Sequence, residues 1–499
     1  MLKPIIQITD FKGGMTLNEK MGREDQFHIG YGLDFSSLPG FLTCGPEWIR
    51  LNVLGNVSAA SDFQGIIRTV KDNRTWLGAD NTNLYFASAT NAIISAADSN
   101  QGGPIRGLNE YENFLYYPQD TTIGRKALAS ATSAGYTHNW QTGLTDDIYH
   151  PIFTSANKKQ YIGHGSKVAS WDNTTFTSSA LDLAENWHIR TICDFGLSYL
   201  ALGGNYYTTE GKSQKTKIFL WNRVDSSWND EIIIPESEIQ AKIFDSGYLW
   251  IFAGKNCSIY VVPEGSRKAT KMWEFPKMGD IATNFRVYPN SVKAKNGKIY
   301  FGLSGGDTIT DELSPCGIYC FPSDPSKFVL NRVDNLTAGT LATYDLNFYS
   351  LALENFGNTS SERIIASVRD STGTIKRRLI AESIESSQFQ GTADYESFKY
   401  DAPPGKKIHI EHIIVLYKPE LAAGGDSNLD AYYKLDNDAS WTQVITGFSM
   451  ASGFEKIAYN INKTCRSLKL RLGIQGSTTN TLRAFAKGIY VTGRLIPTE

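Results

Sequence analysis

The stretch YLAL at residues 199–202 recurs as WIFA at 250–253, YFGL at 300–303 and YSLA at 349–352. Each copy is a short apolar strand core that begins with an aromatic residue, and successive aromatic positions are 51, 50 and 49 residues apart. Three similar cores, LYF at 84–86, LYY at 115–117 and YIG at 161–163, lie upstream at less regular spacing. A repeat of this length is typical of a β-propeller, and the seven cores predict about seven blades.

A second β-rich stretch follows five of these cores after a short connection. These partner stretches are residues 167–171, 217–221, 258–261, 317–320 and 363–366. Two strand-like stretches separated by a turn predict an antiparallel hairpin, and a series of them leaves little room for helices. The sequence therefore predicts an all-β chain.

Composition limits the classes of function. The 499 residues carry a formal net charge of −2, so no basic face for nucleic acid or an anionic membrane is predicted. No apolar run is long enough to span a bilayer, and the first residues have too short an apolar stretch for a secretory signal. The six cysteines are scattered, which predicts free buried thiols in a protein assembled in a reducing cytoplasm.

The chain divides into three predicted parts. Residues 1–45 are turn-rich and form an extended N-terminal arm, whose hydrophobic residues need a surface on which to dock. Residues 46–384 carry the propeller, with residues 48–53 as the candidate strand that completes the last blade. Residues 385–499 contain alternating strands, best formed at 468–474, and predict a C-terminal β-sandwich of jelly-roll type.

The arm resembles the openings of many tailed-bacteriophage virion proteins. Those proteins place a Gly-Gly segment near the start and an Asp-Phe-Ser-Ser-x-Pro-Gly-like stretch before the first propeller strand. Here the corresponding stretches are residues 13–14 and DFSSLPG at 34–40, although a loop that closes the first blade also fits them. The resemblance implies that the arm makes assembly contacts through Phe11, Gly13, Gly14, Asp34, Phe35, Pro39 and Gly40.

No catalytic, metal-binding or cofactor-binding constellation is predicted. His409 and His412 are three residues apart on a predicted strand, so they are expected on opposite faces and make a poor metal pair. Acidic pairs such as Asp146-Asp147 are predicted to lie in solvated loops. Two carboxylates from different blades would have to meet in the central funnel to hydrolyse a glycosidic bond.

Five tryptophans stand next to polar turn residues and form a second group of candidates. Their rings are placed either to stack on a sugar or a neighbouring subunit, or to pack between blades. They are Trp140, Trp171, Trp187, Trp228 and Trp441.

The function predicted first is that of a non-enzymatic structural protein of a bacteriophage tail, in a nozzle, tail-tip or collar ring. Its expected partners are other tail proteins and copies of itself, with assembly in the host bacterial cytoplasm and a final location in the virion. The first alternative is a carbohydrate-binding adhesin that recognises a host surface glycan. The second alternative is a propeller glycoside hydrolase or depolymerase.

Overall fold

A computed structural model gives the fold of this chain. No helix in the part of the chain that it describes is long and apolar enough to cross a membrane. That part contains 42 β-strands and one short 3-10 helix at Pro325–Lys327, which confirms the all-β prediction. The described residues are 4–9, 14–15, 26–27, 29–34, 42–46, 48–50, 62–79, 83–87, 94–98, 103–208, 213–275, 285–305, 316–334, 346–354, 362–370, 376–382, 393–418, 428–449, 456–474 and 485–498.

Within these residues, seven antiparallel sheets have four strands each. In six of them, the strands follow one another in chain order, as in consecutive hairpins. The strands are Phe63–Thr69, Arg74–Ala79, Leu84–Ala87 and Ile94–Asp98 in sheet 1; Asn109–Tyr111, Phe114–Pro118, Thr122–Ala127 and Tyr136–Thr142 in sheet 2; Ile152–Thr154, Gln160–His164, Lys167–Trp171 and Phe176–Asp182 in sheet 3; Trp187–Phe195, Tyr199–Tyr207, Ser213–Trp221 and Asp230–Ile234 in sheet 4; Ile239–Asp245, Tyr248–Ala253, Ser258–Pro263 and Thr270–Glu274 in sheet 5; Val292–Lys295, Lys298–Leu303, Gly317–Pro322 and Asn331–Arg332 in sheet 6; and Leu346–Glu354, Arg363–Asp370, Lys376–Glu382 and Trp48–Arg50 in sheet 7.

The first strands of the seven sheets line the inside of a ring. Each contacts the first strand of the next sheet, and the first strand of sheet 7 contacts that of sheet 1. Sheets of four antiparallel strands arranged in this way give a β-propeller-like fold. The loops that precede the first strands are therefore brought together near the centre.

The aromatic cores that predicted the repeat fall one in each sheet. Five of them lie in second strands, but residues 84–86 belong to the third strand of sheet 1 and Tyr349 to the first strand of sheet 7. The five partner stretches pair with their neighbours in antiparallel register, as predicted. The even spacing near the end of the chain therefore does not mark the same strand in every sheet.

The strand Trp48–Arg50 completes sheet 7 as its fourth strand. Trp48 pairs with Glu382, and its indole Nε1 donates a hydrogen bond to Val333 O at 3.1 Å. The indole is 4 % exposed. This confirms the predicted closing strand for residues 48–50, while residues 51–53 lie outside the described residues.

Asn290 connects sheets that are not neighbours in the ring. It precedes the first strand of sheet 6, and its Nδ2 donates to Gln64 O of sheet 1 at 2.8 Å. The same Nδ2 is 3.5 Å from Arg106 O, in the segment that leads into sheet 2. Its own carbonyl accepts from Leu351 N of sheet 7 at 2.9 Å. Asn290 therefore links sheet 6 with its neighbour sheet 7 and with sheet 1 beyond it.

Two further sheets combine strands from both ends of the chain. Their order comes from pairing between distant segments. Sheet 8 runs Lys456–Cys465, Lys406–Tyr417, Phe485–Pro497, Leu42–Cys44 and Leu33–Asp34, with Pro4–Ile8 also paired to Phe485–Pro497; sheet 9 runs Thr442–Ser449, Asn428–Leu435, Ser467–Ile474, Ala393–Glu396 and Ile29–Tyr31, with Tyr400–Asp401 also paired to Ser467–Ile474.

The N-terminal segment crosses from one of these sheets to the other at Gly32. Ile29–Tyr31 belongs to sheet 9 and Leu33–Asp34 to sheet 8, so a single residue makes the turn. Gly32 has a φ of 61°, a conformation that glycine adopts without the steric cost of a Cβ atom. The surface on which this predicted arm docks is therefore the chain's own C-terminal strands.

The same segment is tied to the ring of sheets. Gly32 N donates to Asp334 O at 3.1 Å, and Asn331 Nδ2 donates to Leu33 O at 3.1 Å. Buried residues of sheets 5 to 9 form one continuous hydrophobic cluster. The ring and the two C-terminal sheets consequently share a core.

A β-bulge in Lys406–Tyr417 corrects the prediction for His409 and His412. The register shifts just before His412, so the alternation of buried and accessible residues restarts one position later. His409 Nδ1 lies 3.0 Å from Thr464 Oγ1, and His412 Nδ1 lies 3.2 Å from Thr492 Oγ1. Both imidazoles lie on the face away from the buried isoleucines, and not on opposite faces.

No disulfide bond joins the six cysteines, and all six are buried, as predicted. Cys316 directly precedes the strand Gly317–Pro322 of sheet 6, and Cys320 lies within that strand. Their burial places them among the apolar side chains of the core.

Candidate functional site

Residues of sheets 4 and 5, together with the segments that lead into sheets 3, 5 and 6, surround a cleft of about 90 Å³. Because the first strands line the inside of the ring, this cleft lies near its centre, and we call it the inner cleft. Its polar and aromatic lining comes from Tyr149, Arg190, Asn205, Tyr207, Glu238, Gln240 and Arg286.

The Arg190 side chain lines the inner cleft and is held in one orientation. It is 6 % exposed, and its guanidinium carbon lies 4.3 Å from the ring centre of Tyr149 and 5.0 Å from that of Tyr207. Nη1 donates to Asp147 Oδ1 at 3.3 Å, and Nε donates to the Tyr207 hydroxyl at 3.2 Å. Two rings and two acceptors thus hold this cation in one orientation.

Asp147 balances the charge of Arg190, and its position corrects the prediction of a solvated loop. It is 8 % exposed, and its Oδ2 accepts a hydrogen bond from His188 Nδ1 at 2.8 Å. Burial alone would raise the pKa of Asp147, but the His188 hydrogen bond and the Arg190 charge hold that pKa below its usual value. Asp147 is therefore an ionised carboxylate at neutral pH.

Arg286 is exposed, but its backbone is fixed on both sides. Its N–H donates to Ser304 O and its C=O accepts from Ser304 N, both at 2.8 Å. The Gln240 amide donates from Nε2 to Phe285 O at 2.8 Å and accepts at Oε1 from Val287 N at 2.9 Å. The backbone therefore presents the Arg286 side chain to solvent from a rigid position.

The side-chain amide of Asn205 fixes the connection from sheet 4 to sheet 5, as the Gln240 amide fixes the segment before sheet 6. Its Oδ1 accepts from Ile239 N at 2.7 Å, and its Nδ2 donates to Ile239 O at 3.1 Å. Thr216 Oγ1 donates to the same Oδ1 at 3.0 Å, and Asn205 is 1 % exposed. Buried amides of sheets 4 and 5 consequently fix the entry to the next sheet.

The side chains of the inner cleft offer a ligand two arginines, two tyrosines and the carboxylate of Glu238. Its described lining contains no Ser, Thr, Cys, Lys or His that a base could activate as a nucleophile. The neighbouring carboxyl of Asp147 has a lowered pKa, which makes it a poor proton donor. In the portion of the chain covered by the structure, no three His, Cys, Asp or Glu side chains are grouped as a metal site requires.

No sequence motif marks the lining of this cleft. Tyr149 precedes sheet 3, Arg190 and Tyr207 lie in adjacent strands of sheet 4, and Arg286 precedes sheet 6, so only the ring brings these three segments together. The one available signal was Arg190, a charged residue next to apolar Ile189 in the middle of the strand Trp187–Phe195.

Two of the candidate tryptophans contact each other between sheets 2 and 3. The ring centres of Trp140 and Trp171 are 4.7 Å apart, and Trp140 lies 5.1 Å from Tyr116. Trp171 Nε1 donates to the Tyr116 hydroxyl at 3.2 Å, and Trp171 is only 8 % exposed. Of the two placements predicted for these rings, the contacts of Trp171 fit packing between blades, because neighbouring side chains cover its ring.

The other three tryptophans are half-buried. Trp187 and Trp228 lie on either side of Phe219, with ring centres 5.0 Å and 5.2 Å from it. Trp441 precedes a strand of sheet 9, and Lys434 Nζ lies 5.7 Å from its ring centre. The five tryptophans do not form one surface.

The candidate arm residues are only partly covered by the structure. Gly14 belongs to Gly14–Met15, which pairs in parallel with Gln26–Phe27. Asp34 pairs with Thr43 inside sheet 8. The remaining candidates lie outside the described residues: Phe11, Gly13, Phe35, Pro39 and Gly40.

Comparisons with known proteins give structural resemblances alone. No protein-family model and no curated protein matches the chain. The U3-55K structure is 10 % identical with a TM-score of 0.48 and matches 68 % of this chain and 100 % of its own. The WD40 β-propeller domain of Doa1 is 13 % identical with a TM-score of 0.45, over 66 % and 96 %. The computationally designed Ika8 protein is 11 % identical with a TM-score of 0.40, over 70 % and 97 %. These resemblances carry no inference about function.

Proposed function

We propose that this protein is a non-enzymatic structural component of a bacteriophage tail, in a nozzle, tail-tip or collar ring. In this proposal residues 46–384 form a seven-bladed propeller and residues 385–499 form a β-sandwich. The protein contacts copies of itself and other tail proteins in the virion, after assembly in the host bacterial cytoplasm.

The observation that carries the proposal is the way the N-terminal segment joins the two parts. Pro4–Ile8 and Leu33–Asp34 are strands of sheet 8, and Trp48–Arg50 is a strand of sheet 7. A segment that contributes strands to both parts resists their separation, as a load-bearing component of a particle requires. The phage-like stretches at residues 13–14 and 34–40 lie in this same segment.

The test is the mass of the purified chain in solution, measured by light scattering alone and after mixing with isolated tails. We expect a closed ring of several copies or a tail-bound species. A stable monomer that ignores tails would overturn the proposal.

Substitutions separate assembly from folding better than removal of the arm. Deleting residues 1–45 also removes strands of sheets 8 and 9, so loss of assembly would be ambiguous. The paired change Phe11→Ala with Phe35→Ala is expected to reduce ring formation or tail binding without lowering the thermal midpoint. Trp441→Ala is the control, and equal assembly of the two variants would contradict a role for the arm.

Recognition of a host surface glycan is the second candidate function. The inner cleft favours it, because Tyr149 and Arg190 combine an aromatic surface with a fixed hydrogen-bonding cation. A glycan array on which the full chain binds nothing would count against this candidate. The hydrolase alternative needs a protonated carboxyl opposite a second carboxylate, and the ionised Asp147 does not favour it.

A further inference from the structure

Arg286 differs from Arg190 in how its charge is balanced. The Arg190 guanidinium is paired with Asp147, whose two oxygens are both engaged. Arg286 is exposed, and among the described residues its guanidinium forms no ion pair. Tyr149 and the Glu238 carboxylate are nevertheless near enough to hold the pKa of Arg286 above its usual value. The Arg286 guanidinium carbon lies 5.9 Å from the ring centre of Tyr288. The inner cleft therefore has one cation held in a close ion pair and one exposed cation that forms none.

The backbone around Arg286 is more rigid than an ordinary exposed loop. Four hydrogen bonds, two from Ser304 and two from the Gln240 amide, hold residues 285–287. A cation that is already positioned loses less conformational freedom when a ligand binds, which favours affinity. None of the four bonds uses the Arg286 side chain, so this side chain is not required to build the loop.

The shape of the inner cleft selects a small planar anionic group. A guanidinium presents parallel N–H groups that match the two oxygens of a carboxylate. The volume of about 90 Å³ admits such a group with part of the ring that carries it. Tyr149, half-buried, and the exposed Ile148 provide apolar surface beside it for the rest of that ring.

We propose that the inner cleft binds an acidic sugar through its carboxylate, with Arg286 as the ion-pairing residue and Tyr149 as the surface for the sugar ring. This inference rests on the second candidate function, glycan recognition, and not on the structural role. Arg190 acts by fixing the position of Tyr149. Glu238 lines the same cleft and opposes the ligand by its charge.

The first experiment is titration calorimetry of the full chain with three probes: sodium glucuronate, glucose and sodium acetate. Glucuronate carries both the ring and the carboxylate, whereas each of the others carries only one. We expect glucuronate to bind at least about tenfold more tightly than glucose or acetate, as for a charge-assisted hydrogen bond. Its affinity should fall as ionic strength rises, because the ion pair is partly exposed.

Three variants assign the binding to Arg286. Arg286→Ala should lose at least about tenfold in glucuronate affinity, and Arg286→Lys should lose less because it keeps the charge without the planar fork. Arg466→Ala is the matched control, since Arg466 is an exposed arginine beside sheet 9. Glu238→Gln should strengthen glucuronate binding by removing a nearby negative charge.

The outcomes separate this inference from the function on which it rests. Equal affinity for glucuronate and glucose, or wild-type affinity in Arg286→Ala, would overturn the acidic-sugar assignment and leave glycan recognition in place. No binding of glucuronate or glucose at any ionic strength would overturn the assignment, and a silent glycan array would then remove glycan recognition as well. Unchanged thermal midpoints in the variants show that a loss of binding is not a loss of fold.

Discussion

His164 lies in the core of sheet 3 with both ring nitrogens satisfied in one neutral form. Thr145 N donates to Nδ1 at 3.0 Å, so Nε2 must carry the proton and donate to Ser178 O at 2.8 Å. The residue is 1 % exposed, and this burial is the main reason that its pKa is lowered. Protonation of His164 would place a second N–H at Nδ1, where it would face the Thr145 N–H instead of accepting from it.

The first prediction concerns the pH dependence of stability. Because the folded pKa of His164 lies below the unfolded value of about 6.5, its contribution is complete above that pH and lost as pH falls through the folded pKa. We expect the wild type to lose stability between pH 8 and pH 5, by up to ~1.4 kcal/mol per unit of pKa difference. The measurement is the free energy of unfolding in urea at several pH values.

The control for this prediction is His164→Gln. Neighbouring His150 also has a pKa lowered by burial, and it remains in the variant together with Lys167 and Asp182. The variant should therefore keep part of the pH dependence and lose the part that His164 contributes. Identical slopes in the two proteins would show that His164 does not titrate in this way.

Asp147 beside the inner cleft shows why the sequence did not predict this site. Asp147 follows another aspartate in a polar stretch, which is typical of a solvated loop. Its partners His188 and Arg190 come from the next sheet and remove it from water. Whether a loop carboxylate is solvated depends on contacts that are not local in sequence.

At the scale of elements, the strand Trp48–Arg50 closes sheet 7 by pairing with Lys376–Glu382. The strand is held in place by the buried indole of Trp48, whose Nε1 donates a hydrogen bond to Val333 O at 3.1 Å. Without this strand, the third strand of sheet 7 becomes an exposed edge.

The second prediction is that Trp48→Ala opens this edge. Removing a buried tryptophan costs about 3–5 kcal/mol, and here it also removes the hydrogen bond to Val333 O. Hydrogen exchange followed by mass spectrometry should show faster exchange at residues 376–382. Trp441→Ala, at a half-buried ring, should leave that segment protected, and equal protection in both variants would contradict the prediction.

The strand pattern was predictable because alternation and turns are local properties. The closing strand at residues 48–50 and the hairpin partners were read from β-rich stretches alone. The place of each aromatic core within its sheet was not predictable, since Tyr85 lies in a third strand and Tyr349 in a first strand. An aromatic residue marks a buried strand, but it does not tell which strand of the sheet it occupies.

At the scale of the whole molecule, Asn290 joins sheet 6 to sheets 1 and 7. The bond to Gln64 O is 2.8 Å long and links segments far apart in sequence. This contact couples sheets 6 and 1, which are otherwise connected through sheet 7.

The third prediction is that Asn290→Ala weakens this coupling. Loss of the amide leaves Gln64 O without its donor, at a cost of about 1–3 kcal/mol. Urea unfolding should show the lower stability, and hydrogen exchange should rise in sheet 1 as well as in sheet 6. Asn437→Ala, at an exposed asparagine near sheet 9, is the control, and a rise confined to sheet 6 would contradict coupling between sheets 6 and 1.

Pairing between the two ends of the chain was the part of the architecture that the sequence did not reveal. The first 45 residues were predicted as a separate arm, but Pro4–Ile8 pairs with Phe485–Pro497. Local patterns do not identify a strand partner that is nearly the whole chain away, because many strands carry compatible alternation.

That pairing has a consequence for biosynthesis. Ile8 leaves the ribosome long before Ile489, the residue with which it pairs. At about 5–20 residues per second, the wait is on the order of 25–100 s. During that time the apolar strand at residues 4–8 lacks the strand with which it pairs, and an unpaired apolar strand is prone to aggregation until residues 485–497 have been made.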